Sequence, residues 1–219
     1  FRRVLFRSAV VPRGEAAKPV TTAQTEGPFY PDMDNNLTRV QGAKKKPKGD
    51  SIYVHRQVLD KEGKPIERAV VEIWQTDNNG IYDHAGDTRQ AGRDLNFQFF
   101  GRSVTDNNGR YVFKTIKPAA YGVRDDWQRP PHIHYKVYRR GFEDLTTQLY
   151  FAGDPLNAKD GIYNNVPIKD RPSVTVEFQA SARIGSGLAK SIADEFGQKN
   201  GLEKEAKVGR FDIVINAVA

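Results

Sequence analysis

Three turn signatures of one kind, Asp60-Lys61-Glu62-Gly63, Asp77-Asn78-Asn79-Gly80 and Asp106-Asn107-Asn108-Gly109, punctuate the middle of the chain. In each, Gly supplies the positive φ of a tight reversal, and Asp or Asn bonds to its own local backbone. The runs around them, SIYVH (51–55), VVEIW (70–74), GRYVF (109–113), HIHYKV (132–137) and VTVEF (174–178), are rich in β-branched and aromatic residues. Short strands at such intervals predict an all-β chain, an antiparallel β-sandwich core with long loops and little helix. Only 188–196 reads as helix, with Leu188, Ile192, Ala193 and Phe196 at helical spacing. Flanking glycines make that helix short and peripheral, and RFDIVI (210–215) is expected to close a sheet as the last strand.

With 219 residues the chain has room for one domain with arms, and a core that needs no disulfide to hold it. Residues 1–20 are set apart as an arm, and 21–219 are read as the sandwich domain. Arg2-Arg3 and the polar run into Thr21-Thr22-Ala23-Gln24 point toward export, although no apolar stretch of ~7–15 residues follows the arginines. No run reaches the ~18 apolar residues of a membrane span. The net charge of +7 comes partly from Lys44, Lys45, Lys46 and Lys48, set among Gly and Pro as a solvated loop. No RNA-binding signature or interleaving of aromatic and basic residues accompanies it, so nucleic acid is not expected as a partner. A modest positive field instead favours a small anionic substrate.

Cysteine is absent, which removes thiolate metal sites and catalytic thiols. Two of only four histidines occupy alternate positions of one strand, in RPPHIHYKV (129–137). Successive strand side chains point to opposite faces, so His132 and His134 project together while Ile133, Tyr135 and Val137 face a core. Two imidazoles on one face suggest a metal, but no carboxylate stands at ligand-like spacing from them. Among nine tyrosines, Tyr53, Tyr111, Tyr135 and Tyr138 lie within strand patterns and read as packing. Tyr82, closing the turn at Gly80, and Tyr121, after Pro118-Ala119-Ala120, stand at loop ends, where ligands usually sit.

TEGPFYP (25–31), VEIWQTDNNGIYDH (71–84), GRSVTDNNGRYVFKTIKPAAY (101–121), RPPHIHYKV (129–137), TQLYFAGDPL (147–156) and RFDIVI (210–215) occur in that order. Together they closely resemble the intradiol ring-cleavage dioxygenases, nearest the protocatechuate 3,4-dioxygenase type, over roughly residues 20–216. The resemblance implies a mononuclear non-haem Fe(III) ion held by two tyrosinates, Tyr82 and Tyr121, and two histidines, His132 and His134. Tyr82 and His132 would be equatorial, with His134 axial opposite Tyr121. It also implies the substrates, a catechol and O2, and the product, a cis,cis-muconate-type diacid that carries both oxygen atoms. Tyr121 would be the tyrosinate that leaves when the catechol binds, taking a substrate proton. Arg129 would stabilise negative charge developing on the ring, and Gln148 would line the pocket. Tyr30 and Trp127 are further candidates for its walls. His84 could stand behind Tyr82 but reads as a surface residue, and His55 has no family role.

This donor set makes physical sense. Free tyrosine titrates near ~10, yet a bound cation can deprotonate a ligand outright. Two phenolates and one hydroxide match the three charges of Fe³⁺, so a buried site carries no large net charge. The departures from the family pattern lie around the pocket. Pro118-Ala119-Ala120-Tyr121-Gly122 replaces a more usual Pro-Gly-Pro-Tyr-Pro, the interval from Tyr121 to His132 is short, and the loop between His84 and Asn96 is reduced. They leave the four donors in place and the ring substituent open. A homo-oligomer, or pairing with a related subunit, stays open too. Two other readings compete: a non-catalytic transthyretin-like sandwich used for binding, and a sandwich that keeps iron without productive substrate access.

Overall fold

The computed structural model describes residues 20–24, 34–124 and 127–218. Residues 1–19 of the 1–20 arm, the motif 25–31 and Tyr30 lie outside the described residues. The strands are β1 (Ser51–Leu59), β2 (Val70–Trp74), β3 (Phe100–Val104), β4 (Arg110–Ile116), β5 (Tyr121–Arg124), β6 (Trp127–Arg129), β7 (His132–Tyr138), β8 (Leu145–Phe151), β9 (Thr175–Val176), β10 (Phe178–Ala180), β11 (Lys207–Arg210) and β12 (Ile213–Val214). Among the described residues two α-helices accompany them, the single-turn α1 (Gly161–Asn164) and α2 (Ser186–Glu195), besides short 3-10 turns.

Two five-stranded sheets form the sandwich. In the first, β1 pairs antiparallel with β4 on one side and parallel with β11 and β12 on the other, and β10 flanks β11. The second runs β3-β2-β7-β8-β9. The antiparallel expectation holds for the long ladders, but three short strands, β9, β11 and β12, join in parallel. Ile52, Val54, Val58 and Phe113 from the first sheet meet Val71, Ile73, Ile133, Tyr135 and Leu149 from the second in one buried cluster. Each such fully buried aliphatic side chain contributes roughly 1.5–3 kcal/mol. Ile133, Tyr135 and Val137 do face this core, which turns His132 and His134 to the opposite face of β7.

Two expected strands are each divided in two. Within 174–178 the chain crosses between sheets, with β9 beside β8 and β10 beside β11. The Phe178 ring stacks on Phe151 at 4.8 Å and lies over Gly209, where an added Cβ would fall 2.6 Å from it. Only glycine permits that approach. Within 210–215 the ladder breaks at Phe211–Asp212, because the Phe211 ring packs 4.9 Å from Tyr135 and its carbonyl accepts the buried Tyr111 hydroxyl. The helix appears as expected and packs on the outer face of the first sheet, with Phe196, just beyond its end, 5.8 Å from the Tyr53 ring. Among the described residues no helix is long and apolar enough to cross a membrane.

The basic run at 43–48 is exposed but tethered, since Lys46 and the buried Lys114 both reach Glu203, at 3.1 and 2.7 Å. Burial opposes the Glu203 charge, but hydrogen bonds led by that from Lys114 outweigh it and lower its pKa from 4.5 to about 2. A depressed carboxylate contributes stability above its unfolded pKa and loses it as pH falls through the folded value. Glu203→Gln is therefore expected to flatten the decline of Tm as pH falls from 4.5 toward about 2. Thermal melts across that window check this, and an unchanged decline would contradict it.

Candidate metal centre

On the outward face of the second sheet, strand register sets side chains in rows. Trp74 of β2 is opposite His134 of β7, His134 is opposite Gln148 of β8, and His132 is opposite Tyr150. The His134 ring stacks on Trp74 at 4.9 Å and 7°, which fixes its plane. His132 Nδ1 lies 2.7 Å from the Pro130 carbonyl, an acceptor only, so Nδ1 carries the proton and Nε2 presents its lone pair. Burial, then Arg129 and His134, hold the His132 pKa well below its ordinary value, so the ring is neutral, as a metal ligand must be.

Tyr82 comes to the same point from a loop. Its backbone N–H donates to Asp87 at 3.1 Å, its carbonyl accepts from Gln90 at 2.6 Å, and Arg89 pins Asp87 at 2.7 Å. The phenol oxygen lies 3.1 Å from His134 Nε2 and 3.3 Å from His132 Nε2. Burial, followed by the neighbouring Tyr121, raises its pKa well above 10, so the phenol is protonated unless a cation joins it. Tyr121, at the start of the separate β5–β6 hairpin, is half-buried, with its ring edge-on to Tyr82 at 5.4 Å and 5.8 Å from His132.

One residue couples the two tyrosine segments. Gly80 has φ +73, and an added Cβ would fall 2.7 Å from the Ala120 carbonyl oxygen and 3.3 Å from Tyr121 Cβ. Thr76 Oγ1 also donates to that neighbourhood, to Ala119 O at 3.0 Å. Gly80→Ala combines a left-handed backbone with this overlap, so it should cost about 1–3 kcal/mol and push Tyr121 away from Tyr82. A Tm lower by roughly 2–12 °C is the expected reading in a thermal melt. A wild-type Tm would show that the contact is slack.

Beside the four residues lies a buried polar network. Arg129, 4% exposed, meets the fully buried Asp160 with two bonds, Nε to Oδ1 at 3.2 Å and Nη2 to Oδ2 at 3.0 Å. Its Nη2 also donates to Gln148 Oε1 at 2.8 Å and Tyr150 Oη at 3.1 Å, and Nη1 lies 3.2 Å from His132 Nε2. Burial opposes the guanidinium charge, but Asp160 more than offsets this and the pKa is raised. Tyr150 in turn donates to Gln24 at 3.0 Å, which ties the N-terminal segment into the network.

The expected candidates thus converge, with Tyr82, Tyr121, His132, His134, Arg129 and Gln148 in one neighbourhood. Arg129 ends a short strand and is buried, not a solvated loop residue. His84 serves its own turn, where Nδ1 accepts from Gly86 N–H at 2.8 Å. Trp127 lies under the Arg124 guanidinium at 5.7 Å, and His55 stands on the other sheet. Asp160, Tyr150, Trp74 and Gln24 were not anticipated. Tyr150 was within reach, because it shares a strand face with Gln148 two residues earlier.

Among the described residues no three His, Asp or Glu side chains cluster, and the oxygen beside the two imidazoles is that of Tyr82. The donors fit a cation. Ligands about 2.0–2.1 Å from a metal and at right angles are ~3 Å apart, close to the 3.1 and 3.3 Å observed. Two imidazoles and two phenols, all buried but the half-exposed Tyr121, suit a hard trivalent ion that converts the phenols to phenolates.

One family model, described as "Dioxygenase", matches residues 25–215. The protocatechuate 3,4-dioxygenase beta chain of Burkholderia cepacia is 40% identical over 163 residues, 73% of this chain and 68% of that one. The catechol 1,2-dioxygenase of Acinetobacter baylyi is 34% identical over 160 residues, covering 65% of this chain and 50% of the relative. In three dimensions a catechol 1,2-dioxygenase from Acinetobacter superposes with a TM-score of 0.68 at 25% identity, over 92% of this chain and 64% of that one. The chain therefore spans about half the length of the catechol relative and about two thirds of the beta chain. Matched over most of its length by the family model and by the beta-chain relative, the chain belongs to the intradiol ring-cleavage dioxygenases.

Proposed function

We propose that the chain is a non-haem Fe(III)-dependent intradiol dioxygenase that inserts both atoms of O2 into a catecholic ring to give a muconate-type diacid. The observation that carries this reading is the convergence of the buried Tyr82 oxygen on the Nε2 atoms of His132 and His134, with the His132 tautomer set by Pro130. Tyr82, Tyr121, His132 and His134 would hold the ion. Bound there, ferric iron would withdraw electron density from a catecholate and open its ring to O2.

The remaining work falls to the chain. Tyr121 Oη, on the half-exposed ring, is the base that takes a catechol hydroxyl proton. Burial of Tyr82 and the histidines keeps water from the other donors. Arg129 stabilises negative charge on the ring, and its guanidinium does not reorganise during reaction because Asp160 and Gln148 already fix it. Domain 21–219 is proposed as the catalytic unit. The beta-chain relative supports pairing with a related subunit, and the sequence also allows a homo-oligomer.

Iron-reconstituted protein tests this directly. A burgundy tyrosinate-to-iron band is expected, with O2 uptake on one or more of catechol, protocatechuate and hydroxyquinol, and one diacid formed per O2. A colourless iron-loaded sample would remove the proposed donor set. A coloured sample inert toward every catechol would leave a metal-holding sandwich without turnover.

A further inference from the structure

A second cavity, of about 550 Å³, opens on the outward face of the first sheet, away from the tyrosines and histidines just described. Along β1, Ile52, Val54 and Val58 enter the core, so Tyr53, His55 and Gln57 face outward. Helix α2 roofs Tyr53, but His55 beside it looks into the cavity. Its strand partners are Arg210 of β11 on one side and Val112 of β4 on the other. Arg110, on the same face as Val112, adds a second guanidinium. Leu188 and Ile192 of α2 make an apolar wall.

His55 is 8% exposed, yet its Nε2 has no hydrogen-bond partner among the described residues. The surrounding carboxylates are engaged elsewhere. Asp212 pairs with Arg56 at 3.1 Å, Asp106 accepts the Asn108 and Arg110 backbone N–H groups, and Glu195 accepts from Asn35 at 3.3 Å. No carboxylate among the described residues forms an ion pair with the Arg110 or Arg210 side chain. Burial first, then Arg210 and Arg56, lower the His55 pKa to about 4, so at neutral pH the ring is uncharged.

We propose that this cavity binds a small organic carboxylate, its head between Arg110 and Arg210 and beside His55, its apolar body along Val112, Leu188 and Ile192. The volume falls within the ~300–1,000 Å³ of small-molecule pockets, and guanidinium forks suit a carboxylate head. Because no donor to the proposed iron takes part, the site stands or falls separately from the catalytic reading.

Benzoate serves as probe, titrated into the full iron-loaded chain. The His55 ring resonances are read by NMR after His55→Gln identifies them, and the visible band reports separately on any benzoate at the iron. Saturable shifts of His55 are expected without change in the visible band. Arg210→Gln and Arg110→Gln, each at an exposed position, should weaken the titration about tenfold or more. Benzyl alcohol and inorganic phosphate should shift His55 far less than benzoate. The proposal is overturned by an unmoved His55 at about 10 mM benzoate, by equal titrations in both arginine variants, or by equal shifts with the alcohol or with phosphate.

Discussion

Tyr82→Phe, produced with iron, is expected to emerge colourless and to bind ferric ion at least ~100-fold more weakly, since even outer partners of a metal ligand change affinity ~10–100-fold. The substitution removes one oxygen and keeps the ring that packs against Trp74, Phe100 and Tyr121. Folding should survive, because the hydroxyl meets His132 and His134 within the site while the ring's apolar packing is kept. Loss of the phenolate would also leave a bound ion with excess positive charge beside buried donors, so its occupancy should fall even where the other donors remain. His134→Ala should fail in the same way and additionally expose the Trp74 face on which the imidazole stacks. Metal analysis and a visible spectrum decide the matter. Full iron occupancy with an unaltered band in Tyr82→Phe would end the donor assignment.

Asp160→Asn is expected to be the most damaging substitution outside the four donors. Asp160 is wholly buried, its carboxylate grips Arg129 through both oxygens, and it also accepts the Tyr163 N–H at the start of α1. An amide can neither balance the guanidinium charge nor accept at both atoms, and breaking a buried pair from one side costs ~3–5 kcal/mol. For a chain of this size that corresponds to a Tm lower by roughly 6–20 °C. Below the melt, kcat should fall with iron content unchanged, because Arg129, proposed to face the ring, loses its anchor while the proposed donors stay. Melts, metal analysis and steady-state kinetics separate these effects. A Tm within about 2 °C of wild type, or an unaltered kcat, would show that Asp160 is dispensable to Arg129.

Much of this arrangement was open to a reader of the sequence, for reasons that differ by residue. His132 and His134 were assigned to one face by the two-residue period of a strand, a local rule that needs no partner. Ile133, Tyr135 and Val137 followed by the same rule. Gly80 announced a left-handed turn, but its contact with Ala120 and Tyr121 joins segments some forty residues apart, and no local rule carries that far. Asp160-Gly161 reads equally well as an ordinary helix start, which it also is, so its pairing with Arg129 stayed hidden. The divided strands near 176 and 211 are likewise tertiary outcomes: β-branched runs look continuous until a ring such as Phe178 or Phe211 must be accommodated. The parallel attachment of β11 and β12 depends on where the chain returns, and composition carries no trace of it.

The four proposed donors stand on supports of unequal stiffness. The imidazoles project from β7, which is hydrogen-bonded to β2 along one edge and to β8 along the other. Tyr121 belongs to a two-stranded ribbon outside both sheets. Any cation gripped between them would have an unyielding jaw and a compliant one. Exchange of a donor for an arriving molecule would thereby be directed to the compliant side, since displacing Tyr121 would disturb a few ribbon contacts whereas displacing a histidine would strain the middle of a sheet.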